Sequence, residues 1–421
     1  MNVCKCFKCD TCETLIDCRI GMSNRDAQPF QFACPICEEV ISFVLGTPEV
    51  DLKGATEVKE FNGPFKGENP FIDLHLDFPV SFGKYQAGNT AFMKAAKELG
   101  EDALGHLGRR LTLLNQLYSK QRDLRRLIIQ YKRNDIKNFE KICTEIPGVE
   151  LKSHKKEDIL AALYSATSVM SSPFTIHEHN RELSEEMPKL LHWLDSHHHD
   201  KIREFINKIS ANEFLKNLHL DCLSLYPKMI ALDLPFRPAL YYDYVDFDET
   251  GKIPARISTS DFENCSNFYK DLAEVFSRQL VLLTGLNNLI KRGNFDLFPD
   301  SVRFNKKGVP DKNFSSLDSY ANVSLGRMIE AIDDPFYTIN LDALDNKIRN
   351  GIAHYKYEYQ ESIQLVTYYP KKEGMKREKP YSISFMEFIY KTLLLFREVH
   401  SMNHIIKSIL FFQTLVIEKP N

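Results

Sequence analysis

The chain has 421 residues, 43% of them hydrophobic and 26% charged, which is the balance of an ordinary folded protein with room for two or three domains and a substantial core. No run approaches the roughly 18 consecutive apolar residues that a membrane span needs. A formal net charge of -3 excludes a chain that coats nucleic acid indiscriminately, so any phosphate-binding surface has to be regional.

The first residues, Met1-Asn2-Val3-Cys4-Lys5-Cys6, lack the basic region, apolar stretch and small-residue cleavage site of a secretory signal, so a cytoplasmic chain without a membrane partner is expected. Seven of the ten cysteines fall within the first 37 residues, while Cys143, Cys222 and Cys265 stand alone. Such clustering points to a metal rather than to disulfides. Cys9-x2-Cys12 and Cys34-x2-Cys37 are two knuckles separated by 21 residues, and four thiolates close a tetrahedral shell around structural Zn²⁺ with no open position for catalysis. Metal binding then folds a segment with too little core of its own. Residues 1–62, strand-prone as in Gln31-Phe32-Ala33-Cys34, resemble a zinc ribbon, a small β module that binds nucleic acid or protein. Cys6-x2-Cys9 is an equally spaced alternative knuckle, and Cys4, Cys6 and Cys18 have no assigned role.

A Gly/Pro-rich connector over 62–70 opens a middle region, 63–250, in which Ile72, Leu74 and Leu76 alternate with polar residues as in one short strand. From about 88 the pattern turns helical, with Ala95, Leu99, Leu104, Leu107, Leu111, Leu114, Leu117, Leu124 and Ile128 near the 3.6-residue period. Further helices are expected around 156–170, 183–196, 200–209 and 211–229. Arg109, Arg110, Lys120, Arg122, Arg125, Arg126, Lys132, Arg133, Lys137 and Lys141 make a basic face, read either as a track for an RNA or DNA backbone or as an ordinary solvated surface. His177-Glu178-His179, His192 and His197-His198-His199 fit no zinc-enzyme spacing and read as surface histidines. The link Tyr241-Tyr242-Asp243-Tyr244-Val245-Asp246-Phe247-Asp248, followed by Gly251 and Pro254, reads as packed linker rather than as a base-stacking platform.

The last region, 256–417, opens with a capping box, Ser260-x-x-Glu263, and a long amphipathic helix ending at Gly293. A shorter helix carries Val323, Leu325, Met328, Ile329 and Ile332, and a third runs from Leu341 through Leu344 and Ile348 toward Gly351. Two strand-like runs, 362–369 and 380–383, flank a charged tip at 371–379 as a hairpin insert. A second capping box, Ser384-x-x-Glu387, then starts a helix of about seven turns. Four helices with an insert before the last describe a bundle, so the chain is expected to be mainly α with a small β module at the N-terminus.

The third of these helices carries Arg349-Asn350-Gly351-Ile352-Ala353-His354. Spacing alone is a weak signal, since surface ion pairs and helix-end histidines are common. The residue types suit one chemistry. RNA supplies its own nucleophile in the 2′-hydroxyl, so cleavage needs proton transfer, for which imidazole is suited, and charge stabilisation at phosphorus, for which guanidinium is suited. Asn350 offers a hydrogen bond to a ribose or phosphate oxygen, or to the imidazole. Five residues of ideal helix rotate about 500°, which leaves Arg349 and His354 roughly 140° apart. Either the helix breaks at Gly351, or the site is composite and assembled with a two-fold mate; the second is favoured.

An Arg-Asn-x3-His motif in the third helix of a four-helix bundle, with a hairpin before the fourth, resembles the HEPN superfamily (higher eukaryotes and prokaryotes nucleotide-binding) over about 256–415. That resemblance implies a dimeric, metal-independent endoribonuclease that leaves a cyclic phosphate, with Arg349, Asn350 and His354 in its site. It also implies a toxin or abortive-infection effector acting on tRNA or other cellular RNA; a toxic nuclease needs control, so the zinc ribbon and middle region are expected to sense a phage-derived or cellular trigger or to restrain the nuclease. One HEPN branch has a modified tyrosine two residues after the histidine; Lys356 stands there in this chain. The rival class is a non-catalytic adaptor whose HEPN-like bundle dimerises or binds nucleotide or nucleic acid.

Overall fold

A computed structural model describes residues 2–47, 51–60, 65–246, 255–259, 262–305, 307–371 and 379–418, the side chains of 59–60, 177–180 and 182 excepted. Parts of the expected connector (61–64) and link (247–254), Ser260 of the first capping box, the side chains of His177, Glu178 and His179, and most of the hairpin tip (372–378) lie outside the described residues. Helix makes up 56% of the structure, and the sheets are small. The chain is therefore mainly α with an N-terminal β module. No described helix is long and apolar enough to cross a membrane.

The described chain gathers into two compact units, each assembled from three separate stretches. The first holds Met1–Ser119, Ala231–Asn267 and Lys347–Leu393; the second holds Lys120–Ile230, Phe268–Asn346 and Leu394–Asn421.

In the first unit, apolar-polar alternation produces β1 (Asn2–Cys9), β2 (Leu15–Gly21), β3 (Gln28–Ala33), β4 (Val40–Leu45), β5 (Ala55–Glu60) and β6 (Phe71–His75). Four of them form a sheet in the order β5-β1-β2-β6, in which β2 and β6 run parallel, while β3 and β4 pair as an antiparallel hairpin. Phe7, Ile16, Ile20, Phe30, Phe32, Ile41, Phe43, Ile72 and Leu74 close one apolar core that also takes in Cys9, Cys18 and Cys34. Two short strands, β7 (Val80–Ser81) and β8 (Ala255–Arg256), also pair. Helix α1 (Ala91–Tyr118) is capped by Thr90, whose side chain accepts from the Met93 N–H, and is interrupted at Gly100 (φ 74, ψ 175). That backbone conformation excludes most side chains and breaks the expected continuous helix.

Arg237 sits at the centre of this unit with none of its side chain exposed. Its guanidinium donates from Nε to Asp77 at 2.6 Å, from Nη1 to Asn115 at 2.8 Å and from Nη2 to Asn24 at 3.2 Å, and it lies 3.6 Å from Asp233, which Arg25 also bonds at 2.5 Å. One buried fork thus joins the β module, α1 and the 231–243 segment. The tyrosine link packs as expected: Tyr241 and Tyr242 are both 4% exposed.

The second unit contains α2 (Gln121–Arg133), α3 (Ile136–Cys143), α4 (Lys156–Ser171), α5 (His177–His197), α6 (His199–Ala211) and α7 (Phe214–Ala231), with α8 (Asp233–Phe236) following in the first unit. The four helices expected over 156–229 are all present. The long helix α9 (Phe262–Arg292) runs to the predicted stop and is followed by the short α10 (Asp300–Arg303), α11 (Leu317–Tyr320) and α12 (Leu325–Glu330). In the core, Gln279 of α9 donates to the Val399 carbonyl at 2.9 Å and to the Cys222 sulfur at 3.4 Å. Phe396 packs on both Phe174 and Tyr226. Middle-region helices and the C-terminal helices therefore bury one another's apolar stripes.

The third helix of the expected bundle differs most from expectation. A 3-10 turn over Leu341–Ala343 stops where Leu344 adopts φ -116 and ψ 89, and α13 starts afresh at Asn346 and ends at Ala353. Asn340 accepts from the Asp342 N–H at 3.0 Å, and short polar side chains of this kind compete with helix continuation. The four helices expected to form a bundle are thus two long ones, of 31 and 28 residues, and two short ones, of six and eight. After α13 come β9 (Tyr357–Gln360), β10 (Leu365–Tyr368) and β11 (Tyr381–Ser384), an antiparallel sheet in the order β11-β10-β9. The hairpin is as expected; β9 is an additional strand. Ser384 then accepts from the Glu387 N–H at 3.1 Å and caps α14 (Phe385–Phe412).

Candidate metal centre and candidate active site

The two cysteine knuckles fold into matching turns. In the first, the Glu13 N–H donates to the Cys9 carbonyl and the Cys9 N–H to the Thr14 carbonyl, both at 3.0 Å; in the second, Glu38 donates to Cys34 at 3.0 Å and Cys34 to Glu39 at 2.8 Å. Glu13 (φ 59) and Glu38 (φ 64) each take the left-handed conformation just after the second cysteine. A non-glycine residue held there at both turns costs conformational energy, so the turns need an additional constraint. The four sulfurs of Cys9, Cys12, Cys34 and Cys37 lie within 4.8 Å of one another, with Cys9–Cys37 and Cys12–Cys34 each at 3.6 Å.

These separations far exceed a disulfide bond and approach the roughly 3.8 Å between sulfurs of a tetrahedron with ~2.3 Å bonds. The cluster is therefore compatible with a metal site. Hydrogen bonding with the Thr14 side chain and backbone holds the Cys12 thiol down to about 6, while burial raises Cys34. Cys6 stands opposite Asp17 within the β1–β2 ladder, so the alternative Cys6-x2-Cys9 knuckle is not formed. Cys18 is fully buried in the core, and its thiol is pushed well up by burial.

Arg349, Asn350 and His354 sit at the end of α13, whose Ile348, Gly351 and Ile352 are buried. Gly351 lies against β10, where an added Cβ would stand 2.9 Å from the Cβ of Tyr368. Helical bonding continues through this glycine: the His354 N–H donates to the Asn350 carbonyl at 3.2 Å. The chain then turns with Tyr355 donating to Ile352 at 3.1 Å and Lys356 to Gly351 at 2.8 Å, a Schellman cap with Tyr355 in the left-handed position (φ 55). Of the two arrangements considered from sequence, the break at Gly351 is not what forms. Arg349 and His354 therefore keep the angular separation of a regular helix. Arg349 Nη1 approaches Asn350 Oδ1 at 3.4 Å; His354 is exposed, and among the described residues its imidazole has no hydrogen-bond partner.

A connection the sequence does not reveal joins the two sites. Glu38 of the second knuckle accepts from Ser362 Oγ at 2.6 Å and from Gln360 Nε2 at 3.3 Å, and these donors hold its carboxyl below the usual range. Gln31 of β3 likewise donates to Glu361 at 3.3 Å. The β9–β10 turn, which follows the His354 cap, is thus held against the cysteine module by partners more than 320 residues away in sequence. No local motif signals such a contact.

In the second unit Arg122, Arg125, Arg126, Lys132 and Arg133 are all exposed along α2, and Arg126 pairs with Asp123 at 3.3 Å. Arg110, by contrast, is engaged with Asp243 at 2.8 Å and with Tyr244 and leaves the expected basic face. The histidines of α5 and α6 form no metal-ligating group among the described residues; His197 stacks on Trp193, and His199 pairs with Asp195 at 3.1 Å. No protein-family model matches the chain, and no match to it is found among curated proteins or among solved structures.

Proposed function

We propose that this chain is a metal-independent endoribonuclease of the HEPN type that acts as a homodimer. The observation that carries the reading is the Arg349-Asn350-x3-His354 set at the capped end of α13, with the apolar residues of that helix buried and His354 presented to solvent. His354 takes the 2′-hydroxyl proton as the oxygen attacks phosphorus and returns a proton to the departing 5′-oxygen, leaving a 2′,3′-cyclic phosphate and a 5′-hydroxyl. Arg349 holds the phosphoryl oxygens as negative charge builds, and Asn350 orients the ribose or the imidazole. Because the helix does not break, the guanidinium and imidazole that meet one phosphodiester come from two copies of α13.

Cys9, Cys12, Cys34 and Cys37 would hold a structural Zn²⁺, which would offset half of the four thiolates' charge and fix the two turns. The exposed cations of α2, including Arg122, Arg125, Lys132 and Arg133, are the surface for an RNA backbone. The biological role that fits is a toxin or abortive-infection effector acting on cellular RNA, kept silent until a trigger arrives.

The test is incubation of the purified chain with total RNA in EDTA, followed by chemical mapping of the new ends. Cyclic phosphate ends that disappear with Arg349→Ala and with His354→Ala support the enzyme; RNA that stays intact supports the adaptor.

A further inference from the structure

The second unit holds a cleft of about 550 Å³, within the size range of small-molecule sites. It lies among α2, the α2–α3 turn, α4 and α7. Its lining carries three lysines, Lys132, Lys156 and Lys216, and no carboxylate. Three formal positive charges converge on one concavity in a chain whose net charge is -3. Lys156 and Lys216 are tied to Glu418 at 2.8 Å and Glu213 at 2.7 Å, but all four side chains are well exposed, and surface pairs of that kind contribute little and yield to a polyanion. Lys132 has no ion-pair partner among the described residues.

Ile136, Ile159, Leu160, Leu220 and Tyr131 form its apolar and aromatic wall, beside the polar Asn134 and His154, the latter meeting Glu140 at 3.0 Å on the exposed side. His219 also lines the cleft, 2% exposed, and its Nε2 has no hydrogen-bond partner. Its Nδ1 meets Tyr164 Oη at 3.0 Å; with the phenol donating there, Nε2 carries the proton and is a donor without an acceptor. An unsatisfied donor beside an apolar wall suits a ring acceptor, and three lysines suit phosphates.

We infer that this cleft binds a phosphorylated small molecule with an aromatic ring, of the nucleotide class, the ring against Tyr131 and the apolar wall and the phosphates on Lys132, Lys156 and Lys216. The inference does not depend on cleavage chemistry at α13, and it assigns Lys132 to the small ligand in place of the RNA surface.

Calorimetric titration of the full chain with ATP, adenosine, pyrophosphate and a short single-stranded RNA tests it. The expected result is saturable ATP binding that weakens about tenfold or more in Lys132→Ala/Lys216→Ala and also in Tyr131→Ala. Adenosine and pyrophosphate each bind at least about tenfold more weakly than ATP. Lys132 and Lys216 are exposed whereas Tyr131 is half-buried against Phe139 and His219, so circular dichroism of both variants checks folding. Pyrophosphate binding as tightly as ATP, ATP binding indifferent to the lysine variant, or binding of the RNA alone would overturn the assignment.

Discussion

Among the described residues, replacing Arg237 by Met removes the one cation that bonds Asp77 and leaves Asp233 with Arg25 alone. Arg237 and Asp233 are wholly buried, and the Asp77 side chain is 6% exposed, so water does not reach in to solvate what remains. Burial already raises the Asp233 carboxyl above its ordinary value against the opposing pull of Arg25 and Arg237. Removing one partner from a buried ion pair costs about 3–5 kcal/mol, mainly because the other charge stays behind uncompensated. For a unit of about 200 residues that lowers its melting temperature by about 6–20 °C. Urea unfolding followed by far-UV circular dichroism, with calorimetry alongside, measures the loss. Adding Asp77→Asn to Arg237→Met should recover part of the stability, since the stranded charge is gone. A single-variant loss below about 1 kcal/mol, or no recovery in the double variant, would refute the view that this fork organises the first unit.

Other consequences follow from the same structure. Burial holds His219, His400 and His404 at about 4, 3 and 4 against an ordinary 6.5, so the stability they confer is complete above pH 6.5 and is lost as the pH falls toward 3–4. Glu398, raised by burial to about 7, acts oppositely, favouring the fold below pH 4.5 and losing that contribution as the pH rises through 7. Between pH 7 and pH 5 the three histidines cost about 2 kcal/mol each and Glu398 returns about 2, a net loss of about 4 kcal/mol for the second unit; a flat pH profile in urea titrations contradicts this. Purified protein is expected to carry about one Zn²⁺ per chain, released by a thiol-reactive reagent and absent from Cys34→Ser, as metal analysis will show. Gly351→Ala drives a Cβ against Tyr368 and is expected to cost about 1–3 kcal/mol by displacing β10, measured by chemical unfolding.

Elements governed by near neighbours were legible in the sequence. The 3.6-residue stripes of α4, α7, α9 and α14 specify helices wherever they fold, and Cys9-x2-Cys12 with Cys34-x2-Cys37 specifies its own turn pairs. Local polar competition at Asn340–Asn346 moves the start of the third helix to Asn346, whereas Leu341, Leu344 and Ile348 keep a helical period that says nothing about caps. β9 was missed because Tyr357-Glu358-Tyr359-Gln360 is only four residues long, and its alternation has meaning only beside β10. Arg237, the Glu38 contact and the lysine cleft depend on partners far apart in the chain, and a single sequence carries no record of such pairings.

The central claim is that two copies of α13 build one site, and mixing two inactive variants tests it most directly. Arg349→Ala and His354→Ala are each expected to be inert alone on RNA in EDTA. Unfolded and refolded together in equal amounts, they form mixed dimers in which one of the two sites regains an intact Arg349 and an intact His354, restoring about a quarter of wild-type cleavage. Mixed protein as inert as its parents would contradict a composite site, and single variants that cut like wild type would contradict the enzyme itself.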